Sequence, residues 1–254
     1  MKKEILLLLF GFILFSKNVF SERNKEVGVV EYKKFEWKSS DYCYKIYTKY
    51  LFDTISNLGF KPEWIEMDIF LPENKTERDR YKRIVISTSA IWFTPEMYEG
   101  MDDYVKSGGL LITNSSLIGI DINRNYKLDE GDKYEANEIV GVYGHASAQM
   151  SKIFVEIECP LTKGIPVGEW ISLEAKVAGR VTINKSATVL ITSDRIYKEE
   201  TSGNQPFLTY KHSGKGACIY IVPVLLDLEK NKYLLTILKN ALSKETLEWL
   251  TIGE

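Results

Sequence analysis

Histidine, cysteine and excess charge of either sign are scarce in this sequence of 254 residues, and each scarcity argues against a class of function. The three cysteines, Cys43, Cys159 and Cys218, allow at most one disulfide and leave one thiol over, so the chain is not a disulfide scaffold and the pairing of the three stays open. The formal net charge of -2 gives no basic excess of the kind that nucleic acid binding needs. We therefore expect no nucleic acid partner.

The short motifs of nucleotide, phosphate and zinc chemistry are missing as well. The sequence contains no GxGxxG, no GxxxxGKS/T, no HExxH and no CxxC. It also lacks an internal repeat and a Gly/Ser/Pro-rich linker. Length and composition then favour one ordinary globular domain, which we place at residues 22–254.

The N-terminal residues have the layout of a secretory signal peptide. Residues 1–21, MKKEILLLLFGFILFSKNVFS, begin with Lys2 and Lys3, continue with an apolar run and end with a short polar tail before a cut near Glu22. The apolar run is shorter than the about 20 residues that a membrane-spanning helix needs. We expect an exported protein, periplasmic or extracellular, and the alternative is an uncleaved signal anchor as the only link to a membrane.

The first half of the sequence alternates strand and helix patterns. Apolar runs at 27–32, 83–91 and 110–116 indicate strands covered on both faces, and residues 63–70 suggest another strand. Between them, residues 39–60 have the caps and the length of a helix. A second helix begins at TPEM, with a Thr cap and a Pro in the first turn, and ends at a Gly-Gly pair. This order predicts an α/β fold with a flavodoxin-like, doubly wound, mostly parallel sheet and helices on both faces.

The second half is rich in closely spaced strand patterns. We expect additional β-strands at KIFVEIE, EWISLEAKV, RVTI, ATVLITSD, FLTYKHSGKG and ACIYIVPV. The closing residues 230–250 repeat apolar side chains at helical spacing, which predicts one amphipathic helix.

A family resemblance is carried by several of these segments in order. Residues 81–116, with Thr-Pro before a helix, Tyr-Val, a Gly-Gly pair and a buried strand, resemble the class I glutamine amidotransferase-like fold, and most of all the trimerisation domain of some β-galactosidases. The similarity continues through YEANEIVGV (134–142), CPLTKGIP (159–166) and YKHSGKGACIYIVPVLLD (210–227). It covers about residues 27–245 and implies a fold of this group.

The residues that do chemistry in this group are not found at the matching positions. Active members place a Cys nucleophile on the sharp turn after the Gly-Gly strand and draw His and Glu from the end of the domain. Here the turn offers Asn114, Ser115 and Ser116, and the last strand, IYIVPVLLD, has no His. The resemblance therefore implies a catalytically silent copy of the fold, and we assign no catalytic residue and no organic cofactor.

A hydrolase remains the alternative. Ser115 with His145 as its base would act on a small amide or a glycan, although the sequence has no GxSxG elbow. Paired carboxylates at Asp121 and Asp129 would be the second route, on a glycan. His212, in the turn before the last strand, does not match the base of the family either.

Ligands of open α/β sheets bind beyond the carboxyl ends of the strands, where the strand order reverses. Residues 87–89 and 114–116 fall on that edge, with Trp92 and Phe93 beside them. Hydroxyls and aromatic rings there would suit a sugar. The interpretation we prefer is that the two rings cover the edge of the sheet or a subunit contact.

The loop DINRNYKLDEGD, residues 121–132, has the spacing of a calcium-binding loop. The candidate ligands are Asp121, Asn123, Asn125, Lys127 through its backbone carbonyl, Asp129 and Asp132. Two positions depart from the EF-hand or dockerin pattern: Tyr126 stands where Gly makes the sharp turn, and Asp132 replaces the longer Glu. We expect a structural Ca²⁺, with a solvated polar turn as the alternative.

Two classes of function follow. The preferred one is an exported, non-catalytic module that binds a carbohydrate, a protein partner or further copies of itself. The other is the secreted hydrolase of a glycan or small amide.

Overall fold

The computed structural model describes residues 25–31, 41–87, 90–114, 117–120, 137–184, 186–197, 200–201, 204–223 and 228–251. The expected signal peptide and the 121–132 loop both lie outside these ranges. Within them, no helix combines the length and the apolar composition needed to cross a bilayer.

The elements of the first half alternate between strand and helix, and they run as follows: β1 (Lys25–Glu31), α1 (Asp41–Asn57), β2 (Pro62–Glu66), 3-10 turns at Met67–Phe70 and Pro72–Asn74, α2 (Lys75–Arg78), β3 (Tyr81–Ser87), β4 (Ala90–Phe93), α3 (Pro95–Lys106), β5 (Leu110–Asn114) and β6 (Leu117–Ile120).

The second half is mostly strand and closes on two helices: α4 (Asn137–Val140), β7 (Val142–Val155), a 3-10 turn at Pro160–Thr162, β8 (Trp170–Asn184), β9 (Thr188–Ser193), β10 (Ile196–Tyr197), β11 (Glu200–Thr201), β12 (Gln205–Ser213), β13 (Gly216–Ile221), a 3-10 turn at Leu228–Lys230, α5 (Lys232–Ala241) and α6 (Lys244–Thr251).

One mixed sheet of 11 described strands organises the chain. Its parallel part has the order β2, β1, β3, β5, β13, and an antiparallel part continues through β12, β9 and β7. Because the order reverses between β1 and β3, right-handed crossovers place α1 and α3 on opposite faces. The predicted doubly wound α/β class, with extra strands in the C-terminal half, is confirmed.

Burial follows the two kinds of strand. In the parallel part, consecutive residues such as Ile84, Val85 and Ile86 are all buried, because helices cover both faces of the sheet. Where burial is described in β7 and β8, at residues 152–155 and 170–174, only alternate residues are buried, among them Ile153 and Ile171, so one face of this part meets solvent.

Helix α3 forms as its sequence predicts. The Thr94 side chain accepts a hydrogen bond from the Met97 amide at 3.4 Å, and Pro95 occupies the first turn. Gly108 follows the helix with a φ of 102°, a backbone conformation that glycine adopts without strain. The residues of the predicted face are all buried: Met97, Met101, Tyr104 and Val105.

Three strands end earlier than the sequence predicts. The strand expected at 63–70 ends at Glu66, since Met67, Ile69 and Phe70 turn inward on a 3-10 helix. The strands expected at 83–91 and 110–116 end at Ser87 and Asn114, and separate strands, β4 and β6, follow each.

The closing helix is also two helices, α5 and α6. The Ser243 hydroxyl accepts from the Thr246 amide at 3.1 Å and so caps α6, while the Ser243 carbonyl accepts from the Arg83 guanidinium at 3.0 Å. Conversely, the stretches EWISLEAKV and RVTI, expected as two strands, join in the single strand β8.

Glycines allow the close packing of α3, β5 and β13 at the amino ends of the strands. A Cβ on Gly216 would lie 2.3 Å from the carbonyl oxygens of Val105 and Gly109. A Cβ on Gly109 would lie 2.4 Å from the Tyr104 ring. Two backbone bonds then fasten β13 beside α3 and β5, Lys215 N to Lys106 O at 3.0 Å and Ala217 N to Gly109 O at 3.3 Å. The Gly-Gly and Gly-Lys-Gly motifs are therefore packing devices.

We expect Gly109→Ala to destabilise the protein by about 1–3 kcal/mol, because the added methyl overlaps the Tyr104 ring. Urea unfolding of the variant measures this cost. The matched comparison is the same substitution in a Tyr104→Leu background, where the missing ring leaves room and the cost should shrink. An equal cost in both backgrounds would contradict the packing explanation.

Candidate functional site

The carboxyl edge of the parallel strands is where the fold class holds its ligands. Here β3 and β5 end side by side, with Ser87 aligned to Asn114. The chain continues from both strands into a second, two-stranded sheet in which β4 and β6 run parallel. Within it, Ala90 aligns with Leu117 and Phe93 with Ile120. The edge is thus extended outward by strands.

Ser115 and Ser116 stand in the sequence between β5 and β6. Both residues lie outside the described ranges, but the chain enters them from β5 and leaves them as β6. A nucleophile at a strand-to-helix turn is served by the N–H groups of the first helical turn, which all point along the helix axis. Successive N–H groups of a strand point to opposite sides and do not converge. Among the described residues, the element that follows β5 is the strand β6, so no described helix begins directly after β5.

The two histidines belong to β12 and β7, and neither of these strands neighbours β5 in the sheet order. His212 is exposed on β12 and aligns with Ala217, which in turn aligns with Leu110 at the start of β5. From Leu110 to Asn114, at the other end of β5, the chain rises about 13 Å along the strand. His145 belongs to β7, which β9, β12 and β13 separate from β5 in the sheet order; its side chain lies outside the description.

His212 has aromatic neighbours. Its ring stands edge-on to Tyr210, with 5.4 Å between the centroids, and Tyr210 packs on Trp249 of α6 at 5.0 Å. We regard this cluster as surface packing between β12 and α6.

The two cysteines whose side chains are described are free thiols. Cys218 is completely buried in β13, and burial raises the pKa of its thiol to about 12. Cys159 is half-buried and precedes the 3-10 turn Pro160–Thr162. The thiolate that an amidotransferase-type reaction needs is strongly disfavoured at Cys218.

The CPLTKGIP turn is held by its own polar groups. The Thr162 hydroxyl accepts from the Cys159 amide and donates to the Ile157 carbonyl, both at 2.9 Å. The Asn240 amide of α5 donates to the carbonyls of Leu161 at 3.1 Å and Lys163 at 2.8 Å. These bonds tie the turn to α5, so the family-like motif has a structural role here.

Of the residues predicted to contact a sugar at the edge, only Phe93 has a described side chain. Phe93 is fully buried and meets the Phe70 ring edge-on at 5.8 Å, so it fills the core and is not free to stack on a ligand. This agrees with the preferred interpretation for that ring. The side chains of residues 87–89, 114–116 and Trp92 lie outside the description.

The candidate calcium ligands, Asp121 to Asp132, also lie outside the described residues. Elsewhere in the described part of the chain, no three His, Cys, Asp or Glu side chains form a metal-binding group. The nearest described residues on either side are held: Ile120 is paired in the β4–β6 sheet, and further along the chain the Glu138 carbonyl of α4 accepts a hydrogen bond from the Lys211 ammonium.

Tyr98 packs close to this anchor. Burial, together with the nearby carboxylates of Glu138 and Asp102, raises the pKa of its phenol to about 12. The phenol therefore stays neutral at physiological pH and serves as packing and hydrogen bonding between α3 and α4.

Comparisons with known proteins place the fold and nothing finer. No family model matches the sequence, and no curated protein matches it. Among solved structures, a β-galactosidase from Bacillus circulans sp. alkalophilus superposes with a TM-score of 0.59 at 15% identity, over 88% of this chain and 31% of that one. A putative ThuA-like protein from Bacteroides uniformis superposes with a TM-score of 0.57 at 14% identity, over 88% of this chain and 93% of that one.

A cytoplasmic protein from Salmonella typhimurium is similar in the same way, with a TM-score of 0.56 and 15% identity over 89% of this chain and 98% of that one. The chain thus spans about a third of the length of the β-galactosidase but nearly all of the two smaller proteins. At these identities the likeness shows the fold alone. The chain shares its α/β fold with part of a β-galactosidase and with a ThuA-like protein, and the expected likeness to a β-galactosidase domain is confirmed at the level of the fold.

We expect alkylation of the folded protein with iodoacetamide at pH 8 to modify Cys159 and to spare Cys218, whose thiol is buried and whose pKa is raised. Mass spectrometry of the labelled protein measures this. The Cys159→Ser variant should lose one rapidly labelled thiol and the Cys218→Ser variant none. Rapid labelling of Cys218 in the folded protein would contradict the burial described for β13.

Proposed function

We propose that this chain is a non-catalytic copy of the amidotransferase-like fold that works as an exported binding or assembly module. The observation that carries the proposal is the run of the chain from β5 into strand β6, where a nucleophile elbow would lead into a helix. The placement of His212 at the other end of the strands and the burial of Cys218 support it.

The proposed partner is a carbohydrate, a protein or a further copy of the chain. Support comes from the likeness to a domain-sized part of a β-galactosidase, which amounts to 31% of that protein. A domain of this kind has a role inside a larger assembly, and fold alone does not fix which. Export is proposed from residues 1–21, and the intact mass of the protein recovered from its host would be reduced by those residues.

A hydrolase is the competing function, and it is tested by turnover. We expect no hydrolysis above the blank on a panel of chromogenic glycosides and on glutamine, because a serine nucleophile needs an adjacent base and His212 is level with the start of β5. The Ser115→Ala variant and an Asp121→Asn, Asp129→Asn variant are assayed beside the parent protein. Turnover that disappears in either variant would overturn the non-catalytic proposal.

We further propose that the 121–132 loop binds Ca²⁺ in a structural role. Its support is the spacing of the six candidate ligands, and the anchoring of both flanks gives such a clamp something to hold. A Ca²⁺ bound only to the folded form stabilises it by mass action, and for extracellular modules dissociation constants of about 10⁻⁴ to 10⁻³ M are common.

Titration calorimetry with CaCl₂ should therefore give a saturable heat and a raised melting temperature for the parent protein. The Asp121→Ala, Asp129→Ala variant should give neither. Magnesium serves as the control ion, since Mg²⁺ demands a tighter octahedral cage and releases its water reluctantly. Equal and negligible heats for parent and variant would remove the site.

A further inference from the structure

The solvent face of the antiparallel part carries two aromatic rings side by side. Phe154 of β7 is aligned with Trp170 of β8 on one side and with Thr192 of β9 on the other, so the three side chains form a row across three strands. The ring centroids of Phe154 and Trp170 are 5.7 Å apart with 49° between the planes. Directly opposite residues of a sheet share a face, and this row therefore projects outward together.

The rings do not belong to the core. On the same strands Ile153, Val155 and Ile171 alternate with them and are buried, while Trp170 is 44% exposed. Trp170 thus offers a broad apolar ring face to solvent on a strand whose inward positions already fill the interior. We call the row of Phe154, Trp170 and Thr192, with its flanking residues, the aromatic face.

Polar side chains surround the rings on that face. The Thr192 hydroxyl donates to the Glu156 carboxylate at 2.8 Å, which holds Glu156 over the β9 side of the row. Lys152, two residues before Phe154 on β7, is aligned with Ser172, two residues after Trp170 on β8, and both are exposed. The aromatic face therefore combines an apolar platform with hydroxyl, carboxylate and ammonium groups at its border.

The backbone under the platform is fixed by Asp194. Its carboxylate, almost fully buried, accepts from the Ser151 amide at 2.7 Å, the Ser151 hydroxyl at 2.6 Å and the Lys152 amide at 2.8 Å. These bonds bridge the shift in register between Met150 and Lys152 that precedes Phe154. A platform whose strands are fixed in this way loses little conformational entropy on binding.

We propose that the aromatic face is a carbohydrate-binding platform, an inference that rests on the non-catalytic binding role proposed above. A sugar ring has an apolar face of C–H groups and a rim of hydroxyls. Stacked on Trp170, it buries that apolar face, and its hydroxyls meet Glu156, Lys152 and Ser172 at the border. Phe154, tilted beside Trp170, supports a second ring of the same chain.

A protein subunit fits this face less well than a glycan does. Two aromatic side chains of which only part is exposed offer on the order of 200 Å² of apolar surface, whereas a stable interface buries about 800 Å² per partner. The neighbours along the strands, Lys152, Glu156 and Ser172, are charged or polar, and the cores of subunit interfaces are depleted in charge. Two other exposed apolar side chains are near in sequence, Ile157 after Phe154 and Val167 before Trp170. Both lie beyond the last aligned pair of β7 and β8 and do not lengthen the row.

Affinity electrophoresis tests the platform, with the purified protein run through gels that contain soluble galactan, xylan, mixed-linkage β-glucan or pullulan. Binding to insoluble cellulose and chitin is measured by sedimentation. We expect retardation or co-sedimentation with at least one of these polysaccharides, and a loss of affinity of about tenfold or more in Trp170→Ala, as for the truncation of a central aromatic contact. Trp170→Phe keeps a ring and should bind with intermediate strength.

Trp64→Ala is the matched control. Trp64 is 40% exposed, close to the value for Trp170, but it lies on β2 at the opposite end of the strand order and stacks on Phe52 at 4.1 Å. Its loss should leave polysaccharide binding unchanged. Thermal melts followed by circular dichroism show which variants are folded, and Trp170→Phe keeps the test valid if the alanine variant is not.

Three results would overturn the platform: no polysaccharide bound by the parent protein, equal binding by the parent and Trp170→Ala, or an equal loss in Trp64→Ala. Light scattering adds a fourth, since an oligomer that dissociates in Trp170→Ala would make this face a subunit contact. The turnover assay is independent. Absent binding with absent turnover removes only the platform, while turnover abolished by Ser115→Ala removes the non-catalytic role.

Discussion

The parallel pairing of β4 with β6 sets the course of the chain beyond the carboxyl ends of β3 and β5. It takes the chain that leaves β3 and β5 and keeps it extended, with Trp92 aligned to Gly119 and Phe93 to Ile120. In a doubly wound sheet the carboxyl edge is normally opened by helices whose N-termini face the ligand. Here α3 begins only after β4, at the Thr94 cap, and the chain after β5 is a strand. Within the described residues, β3 and β5 are thus each followed by a strand of the β4–β6 pair.

The opposite end of the same strands is closed just as firmly. The glycines that let β13 lie beside β5 bring two backbone segments into contact at distances that no side chain tolerates. The antiparallel strands then leave from β13, and they carry the one described face on which large aromatic side chains are presented to solvent in register. The close backbone packing thus lies in the parallel part, and the face that we propose as a binding platform lies in the antiparallel part.

Local sequence signals predicted the parallel part well because burial on both faces leaves little choice of residue. The run of Ile and Val in β3 is typical of a strand buried on both faces. Thr94 and Gly108 are typical of the beginning and the end of a helix, and they flank α3. The break after Ser87 was not visible, because the apolar character continues through Ala90 and Ile91 into a different sheet. The cap at Ser243 was not visible for a similar reason, because the helical periodicity continues through this residue. The Arg83 side chain, which donates to the Ser243 carbonyl, is remote in sequence.

The aromatic face was missed as a candidate site although a signal was present. In KIFVEIE and EWISLE the aromatic residues Phe154 and Trp170 occupy the positions that alternate with the buried ones, among Lys, Glu and Ser. Sequence alone does not say that the two residues stand opposite each other, since the register of β7 and β8 is set across a connection of more than a dozen residues. The 121–132 loop was identified as a candidate site because the spacing of its candidate ligands lies within one continuous segment of sequence.

The most direct test of the proposed non-catalytic role is the backbone conformation of Leu117–Ile120 in solution, measured by NMR chemical shifts and cross-strand contacts. We expect strand-like shifts for these residues, with contacts from Leu117 to Ala90 and from Ile120 to Phe93. Helical shifts beginning at residue 116 or 117, with Ser115 at a strained turn and an imidazole within hydrogen-bonding distance of its hydroxyl, would contradict it.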